Sequence, residues 1–341
     1  MKQVQAKYFL WAAALCLAGI IALSYYYFFT TFSKHGETQY VYIDSDDTPD
    51  SVFSKLDPIA TTHGRMALAT MLRHTSYAEN MHTGRYAIEP DASTVSVFRQ
   101  LKNGRQQPMM LTIPESRTMD RLAAQLSQRL MLDSATIADA LTDPAFTASY
   151  GYDTATIACM FVPNTYEVYW DLSLEQLMSR MQKEHDTFWE GERTQKAQTI
   201  GLTANEVCTL ASIIDEETAN TAEKPMVAGM YLNRLKAQMP LQADPTVKFA
   251  LKQFELRRIY QNMLKYDSPY NTYRNTGLPP GPIKIASIKG IDAVLNRVEH
   301  TYLYMCAKED FSGTHNFATT YQEHLQNAAR YAKALNDRGI K

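Results

Sequence analysis

Apolar residues recur at helical spacing through most of the chain after residue 114. The period is clearest over residues 119–130, where apolar side chains occupy every third or fourth position: Met119, Leu122, Ala123, Leu126 and Leu130. The same spacing predicts further helices at 136–141, 174–189, 204–217, 225–237, 285–297 and 320–335. Because loops rich in proline, glycine and polar residues separate them, this part is predicted to be mainly helical with long loops.

The part of the chain before residue 114 mixes helical and strand patterns. Short helices and strands alternate there, and they are predicted at 51–56, 67–72, 84–88, 94–101 and 109–113. The polar stretch 34–50 is interpreted as a spacer that runs into this module. The chain is therefore predicted to be an α+β protein, with a small domain over 38–113 and a larger one over 114–341.

A long uncharged segment lies near the N-terminus. Residues 8–32 contain no charged side chain, which is enough length for a helix that crosses a bilayer. Lys2 and Lys7 precede the segment and aromatic residues crowd its far end, so an N-in orientation is favoured. The predicted order is a cytoplasmic tail at 1–7, a transmembrane helix at 8–32 and a spacer at 33–37. A cleaved signal peptide is the alternative, although a small-residue cleavage site is missing.

Composition and charge exclude several classes of protein. The chain of 341 residues holds 34 Lys and Arg against 36 Asp and Glu, so no basic excess indicates a nucleic-acid partner. None of the four cysteines forms a CxxC pair, which argues against zinc or thioredoxin-like sites. His315 and His324 lie nine apart and are interpreted as structural histidines. No metal and no cofactor are expected.

The helix predicted over 204–217 combines an apolar stripe with three terminal acids. Thr203 and Glu206 form a capping-box pattern at its start. At ~100° per residue, Glu216 falls opposite the stripe and is expected in solvent, whereas Asp215 and Glu217 flank it. An acid in apolar surroundings, at the negative end of a helix dipole, keeps its proton near neutral pH. Helix geometry alone does not decide whether Asp215 or Glu217 is the partly buried acid. The alternative interpretation is a run of surface charges at the end of a helix.

Two later loops carry residue types that suit sugar binding. Gln242 and Asp244 alternate in a segment predicted to be extended, so both would project to one side. Their amide and carboxylate suit hydrogen bonds to sugar hydroxyls, although an ordinary turn is the alternative. The second loop, made of 268–273 and 276–282, combines prolines and glycines with tyrosines and asparagines.

Six segments together resemble the MltG (YceG-like) family of endolytic murein transglycosylases. They follow one another in the family's order at 210–218, 227–235, 241–247, 268–273, 276–282 and 315–317. The resemblance implies a single-pass protein of the cell inner membrane with its C-terminal part in the periplasm. It also implies a LysM-like module over 38–113 and a transglycosylase catalytic domain over 114–341.

The resemblance also implies the site. In the family the catalytic acid is the second glutamate of a Glu-Lys-Glu-Thr sequence, and that position is Glu217 here, with Asp215 and Glu216 at the preceding charged positions. The implied reaction cleaves the β-1,4 bond between N-acetylmuramic acid and N-acetylglucosamine without water and leaves 1,6-anhydro ends. One glutamate serves first as acid and then as base. Substrate-binding roles are expected for Gln242, Asp244, Thr246, Asn271 and Tyr273.

The resemblance also implies partners, and two other functions remain as alternatives. The implied partners are peptidoglycan glycan strands, the membrane and peptidoglycan synthases, with termination of nascent strands as the biological role. A muramidase that uses water stays open, with Asp215 or Asp244 as the second carboxylate. So does a membrane-anchored scaffold that binds peptidoglycan without cleaving it.

Overall fold

The structure is a computed structural model that describes residues 2–256 and 258–339, with side chains from Ala6 onwards. The predicted tail at 1–7 and the predicted domain at 114–341 therefore extend beyond the described residues. The side chain of Lys2, which entered the orientation argument, also lies outside them.

Within the described residues the chain combines α-helices with short strands, so the predicted mixture of both is confirmed. The helices are α1 (Lys2–Phe29), α2 (Pro49–Leu56), α3 (Thr62–Arg73), α4 (Thr94–Lys102), α5 (Met119–Ser127), α6 (Ser134–Thr142), α7 (Pro144–Ser149), α8 (Leu174–Trp189), α9 (Glu192–Thr199), α10 (Ala204–Glu217), α11 (Lys224–Lys236), α12 (Asp244–Ala250), α13 (Ile288–Leu295) and α14 (Tyr321–Asp337). The strands are β1 (Gln39–Ile43), β2 (Gly84–Ile88), β3 (Met109–Thr112), β4 (Thr165–Val168), β5 (Tyr304–Ala307) and β6 (His315–Ala318).

The chain divides into two compact units. The first contains the described residues up to Leu111, together with Arg129–Met131 and Glu167–Leu172. The second contains Thr112–Gln128, Leu132–Tyr166 and the described residues from Ser173 onwards.

The first unit is built on an antiparallel strand pair. Gln39 of β1 lies opposite Ile88 of β2, and the pairing continues to the other end of both strands. The sequence interpretation of 34–50 as a spacer was wrong, because β1 lies inside it. The pattern was available: Val41 and Ile43 are buried, and the tyrosines beside them are exposed.

Helix α1 contains a segment long and apolar enough to cross a membrane. The segment Ala6–Phe29 has a mean hydropathy of 1.9. The predicted span of 8–32 extends too far, because the helix ends at Phe29 and Phe32 is completely buried in the core of the first unit. The backbone N–H of Phe32 donates to the carbonyl of Ala92 at 2.8 Å, which fixes the chain to that unit directly after the helix.

The second unit surrounds α10. The predicted bounds of helix α10 are confirmed, and Thr203 and Glu206 form the predicted capping box at its start. Residues from Val207 to Ile214 are all buried, and α11 and α13 pack beside them. Sequence periodicity missed α7, α9 and α12, together with the antiparallel hairpin of β5 and β6. These elements are short, and α9 in particular is mostly polar, so neighbours in the fold stabilise them rather than their own pattern.

We expect Gly281→Ala to destabilise the second unit. A Cβ at this buried glycine would lie 2.1 Å from the carbonyl oxygen of Ala155, a backbone atom that has little freedom to move. Crowding of this kind costs about 1–3 kcal/mol, so thermal unfolding should begin at a lower temperature. Gly36→Ala is the matched control, because nothing lies within 4 Å of the Cβ it would gain. Equal melting temperatures for both variants would contradict the expectation.

Candidate active site

A cavity of about 340 Å³ lies in the second unit at the C-terminal end of α10. Helix α11, the segment that leads into α12 and the hairpin of β5 and β6 supply its other walls. Its polar lining includes Glu217, Arg234, Gln242, Asp244, Tyr273 and His315. The cavity thus gathers acidic, basic and amide groups beside an apolar helix.

Glu217 is the last residue of α10 and the only one of its three terminal acids, all of which are described, that lines this cavity. Its side chain is half-buried, and the Tyr231 hydroxyl donates a hydrogen bond to Oε1 at 2.7 Å. Burial raises the pKa of Glu217 to about 7, which the Tyr231 hydrogen bond opposes and the charge of Asp244 supports. An acid with that pKa can both give and take a proton near neutral pH.

Asp215, the other predicted candidate, is committed to a buried charge network outside the cavity. Its side chain is 2 % exposed and accepts from the Lys224 ammonium group. The backbone N–H and the hydroxyl of Ser287 donate to it at 2.7 and 2.8 Å. Because these groups occupy its oxygens and it does not line the cavity, Asp215 does not face a substrate in this arrangement.

Glu216 does not lie in open solvent, so that prediction was wrong. Arg117 Nη2 lies 2.7 Å from its Oε2, Lys284 Nζ lies 3.7 Å from Oε1, and the side chain is only 19 % exposed. The helix periodicity placed it correctly on the face away from the apolar stripe. Two cations from distant segments cover that face, and helix geometry alone could not foresee them.

Three of the five predicted substrate-binding residues meet at the cavity. Gln242 and Asp244 are exposed and line it, as the alternation predicted, although Asp244 begins α12 rather than continuing an extended segment. The Tyr273 hydroxyl donates to Asp244 Oδ1 at 2.6 Å, and Arg234 Nη1 donates to Gln242 Oε1 at 3.2 Å. Gln242 has a φ of +53°, an uncommon conformation for a residue other than glycine.

The other two predicted residues, Thr246 and Asn271, are completely buried and do not line the cavity. The Thr246 hydroxyl donates to the carbonyl of Ala243 at 2.7 Å. The Asn271 amide donates to the carbonyls of Leu264 and Tyr266 at 2.9 and 2.7 Å. Their hydrogen bonds hold the loops that carry Asp244 and Tyr273, so both residues lie in supporting positions.

Sequence reasoning missed Tyr231 and Arg234, which lie on one face of α11. Both are buried, and Arg234 Nε and Nη1 donate to the carbonyls of Leu303 and Leu241 at 2.6 and 2.8 Å. The available signal was a tyrosine and an arginine at i and i+3 in a helix whose remaining residues are largely apolar. Buried polar residues at that spacing share a face and therefore point to one site.

The two histidines differ from each other. His315 lines the cavity and its Nδ1 lies 2.9 Å from Glu223 Oε2. His324 also lines it and stacks on Tyr304 with ring centroids 5.5 Å apart, but its Nδ1 has no hydrogen-bond partner among the described residues. The expectation that both histidines are structural and have their hydrogen bonds satisfied therefore fails for His324. For His315 it did not foresee that the side chain lines the cavity.

Comparison with known proteins gives the family. The model of the YceG-like family matches residues 41–330. The chain belongs to the YceG-like family. The resemblance inferred from the six sequence segments is thereby confirmed.

Two curated relatives of this YceG-like chain are named endolytic murein transglycosylases. The protein of Bacillus subtilis (strain 168) is 36 % identical over 168 residues, which are 49 % of this chain and 46 % of the relative. That of Streptococcus pneumoniae serotype 2 is 26 % identical over 296 residues, which are 77 % of this chain and 52 % of the relative. The chain spans about half the length of these curated relatives.

A solved structure supports the family fold. The crystal structure of a YceG-like protein from Listeria monocytogenes has a TM-score of 0.55 and 26 % sequence identity to this YceG-like chain. The match covers 86 % of this chain and 99 % of that one.

We expect Tyr231→Phe to move the titration of Glu217 to higher pH. The Tyr231 hydrogen bond lowers the pKa of Glu217, so its loss should raise that pKa further above about 7. The midpoint of the titration should rise by roughly one pH unit. The carbon-13 chemical shift of the Glu217 carboxyl group, followed against pH, measures this. Tyr166→Phe removes a hydroxyl bonded to the carbonyl of Val162 at 2.7 Å, away from the cavity, and should leave the midpoint in place.

We also expect Glu217→Gln to stabilise the protein at alkaline pH. Because the folded protein raises the pKa of Glu217 to about 7, the folded state holds this proton where the unfolded state has lost it. Stability therefore falls as pH rises from the ordinary glutamate pKa of 4.5 to about 7, by roughly 3 kcal/mol. Gln carries no charge and escapes that loss. Melting temperatures of variant and wild type should diverge over this range, and parallel curves would contradict the burial of Glu217.

Proposed function

We propose that the chain is an endolytic lytic transglycosylase that cleaves the β-1,4 bond between N-acetylmuramic acid and N-acetylglucosamine in peptidoglycan. The observation that carries this proposal is the cavity acid Glu217, whose pKa burial raises to about 7. An acid of that strength suits protonation of a glycosidic oxygen at neutral pH. The names of the curated relatives describe the same activity.

In this reaction Glu217 gives its proton to the glycosidic oxygen as the bond to the muramic acid C1 breaks. The C6 hydroxyl of the same sugar then attacks C1 and loses its proton, which closes the 1,6-anhydro ring. The Glu217 carboxylate regains a proton at the end of the cycle. The reaction consumes no water, so one carboxyl group with a pKa near the working pH serves both halves.

A muramidase that uses water is the second candidate, because Asp244 places another carboxylate in the cavity. A hydrolase needs such a group to activate water or to attack the sugar. Asp215, the other candidate for a second carboxylate, is buried against Lys224 and Ser287 and does not line the cavity. The choice between the two reactions therefore concerns Glu217 and Asp244.

We propose that Gln242, Asp244 and Tyr273 contact the sugar. All three line the cavity, and the Asp244 carboxylate is oriented by the Tyr273 hydroxyl. Thr246 and Asn271 act one step removed, by holding the loops that carry these side chains.

The membrane segment and the first unit extend the proposal. Helix α1 would anchor the protein in the cell inner membrane with the rest of the chain in the periplasm, where peptidoglycan lies. We propose domain limits of 38–113 for a LysM-like module and 114–341 for the catalytic domain. Support for a separate module comes from the strand pair of the first unit and its own hydrophobic core. A single anchoring helix would permit lateral association with peptidoglycan synthases and cleavage of nascent strands.

Digestion of purified peptidoglycan by the full chain tests the reaction. Wild type should release fragments with 1,6-anhydro ends, which are lighter by one water than the products of hydrolysis. Glu217→Gln should lose at least roughly 100-fold in rate, because the substituted amide has no proton to give. Glu216→Gln is the matched control, because the Glu216 carboxylate is next to Glu217 in sequence but pairs with Arg117 outside the cavity. This variant should retain the activity. Reducing ends from the wild type would establish the muramidase, and full activity of Glu217→Gln would overturn Glu217 as the acid. Release of no fragments by the wild type would leave the non-catalytic scaffold.

A further inference from the structure

We infer that His315, held by the buried carboxylate of Glu223, is a second catalytic residue that accepts the proton of the C6 hydroxyl. The inference rests on the proposed transglycosylase function, and it assigns to His315 the base step that would otherwise fall to Glu217. It starts from a cavity histidine whose hydrogen bonds leave one ring nitrogen open.

Glu223 is committed entirely to contacts within the protein. Its side chain is 8 % exposed, and Oε2 accepts from the Thr218 hydroxyl at 3.1 Å and lies 2.9 Å from His315 Nδ1. Oε1 accepts from the backbone N–H of His315 at 2.6 Å. One carboxylate thus joins the end of the α10 segment to β6. A buried carboxylate on one ring nitrogen sets the orientation and tautomer of an imidazole.

The other ring nitrogen of His315 is available to a ligand. A carboxylate accepts hydrogen bonds, so Nδ1 carries the proton and Nε2 presents a lone pair when the ring is neutral. No hydrogen bond joins Nε2 to another described residue. Since His315 and Glu217 line the same cavity, a sugar bound there would lie against both.

Several charged and titratable groups share this cavity with the His315 ring. Glu223 contacts the ring directly, and the charge of His315 lowers the pKa of Glu217. The remaining groups lie on α11, at the start of α12, in the loop around residue 273, on β5 and on α14, and they are Tyr231, Arg234, Asp244, Tyr273, Cys306 and His324. Among the described residues, only His315 and His324 are cavity imidazoles, and His324 lacks the carboxylate.

The bonds and protons of the His315 step and the Glu217 step balance over one reaction cycle. The C6 oxygen forms a bond to C1, and its proton moves to His315 Nε2 to give an imidazolium ion that Glu223 stabilises. The bond from C1 to the leaving oxygen breaks, and that oxygen takes the proton of Glu217. The imidazolium then returns one proton to the Glu217 carboxylate. Both residues end the cycle as they began it, and no other reactant is required.

His315→Ala with added imidazole tests the step. We expect kcat to fall on the order of 100-fold while KM stays within about twofold, because a base acts in the transition state. Truncation removes the ring beside an existing cavity, so free imidazole can enter and restore the rate roughly tenfold or more. A structural role would not give such rescue. Melting curves of full-length wild type and variant accompany the measurement.

Two further variants serve as controls for rescue. His324→Ala also vacates an imidazole in the cavity, but imidazole should not raise its rate, because that ring has no carboxylate to hold a base in place. Glu217→Gln should likewise stay inactive in imidazole, since the missing group is the acid. Rescue of either variant to the extent of His315→Ala would overturn the assignment.

Glu223→Gln tests the same idea with the histidine present. The amide oxygen can still accept hydrogen bonds, but the charge that stabilises the imidazolium is lost. We expect kcat to fall roughly tenfold with little change in KM, and Glu206→Gln, altered at an exposed helix cap, to behave as wild type. A wild-type kcat for Glu223→Gln would overturn the pair even if His315→Ala failed to fold.

The outcomes separate this inference from the proposed function. Anhydro ends from wild type, together with an undiminished rate for His315→Ala or a rate that imidazole does not change, overturn only the role of His315. Ordinary reducing ends from wild type overturn the transglycosylase itself, and with it the C6 hydroxyl step.

Discussion

The hydrogen bond between the Tyr231 hydroxyl and the Glu217 carboxyl is the interaction on which the cavity depends. Burial at the end of α10 favours the protonated acid, and the hydrogen bond favours the carboxylate. The balance of the two leaves a group near its midpoint at neutral pH. Without the tyrosine the pKa of Glu217 would lie higher still, because that hydrogen bond lowers it.

The charges beside Glu217 are arranged so that it alone lacks a paired cation. Asp215 is bound to Lys224, and Glu216 is bound to Arg117 and Lys284. Three consecutive acids therefore carry three different roles, although they share one helix end. The positive charge beside Glu216 comes from Arg117 and Lys284, which lie far from it in sequence.

Local pattern predicted α10, its cap and the alternation of Gln242 with Asp244, because these depend on neighbours in sequence. It could not predict the cover over Glu216 or the buried places of Thr246 and Asn271. Those follow from segments that meet only in the folded chain, such as Arg117 with Glu216. Likewise, nothing in the spacing of His315 pointed to Glu223, which lies 92 residues away in sequence.

The direct passage from α1 into a folded core has a mechanical consequence. Phe29 ends the helix and Phe32 is already buried, so only two residues lie between them, and the chain spans at most about 11 Å from one to the other. If α1 spans the bilayer, the first unit cannot drift away from the lipid surface on a slack tether. The first unit would then sample only the thin layer of solvent next to the lipid headgroups.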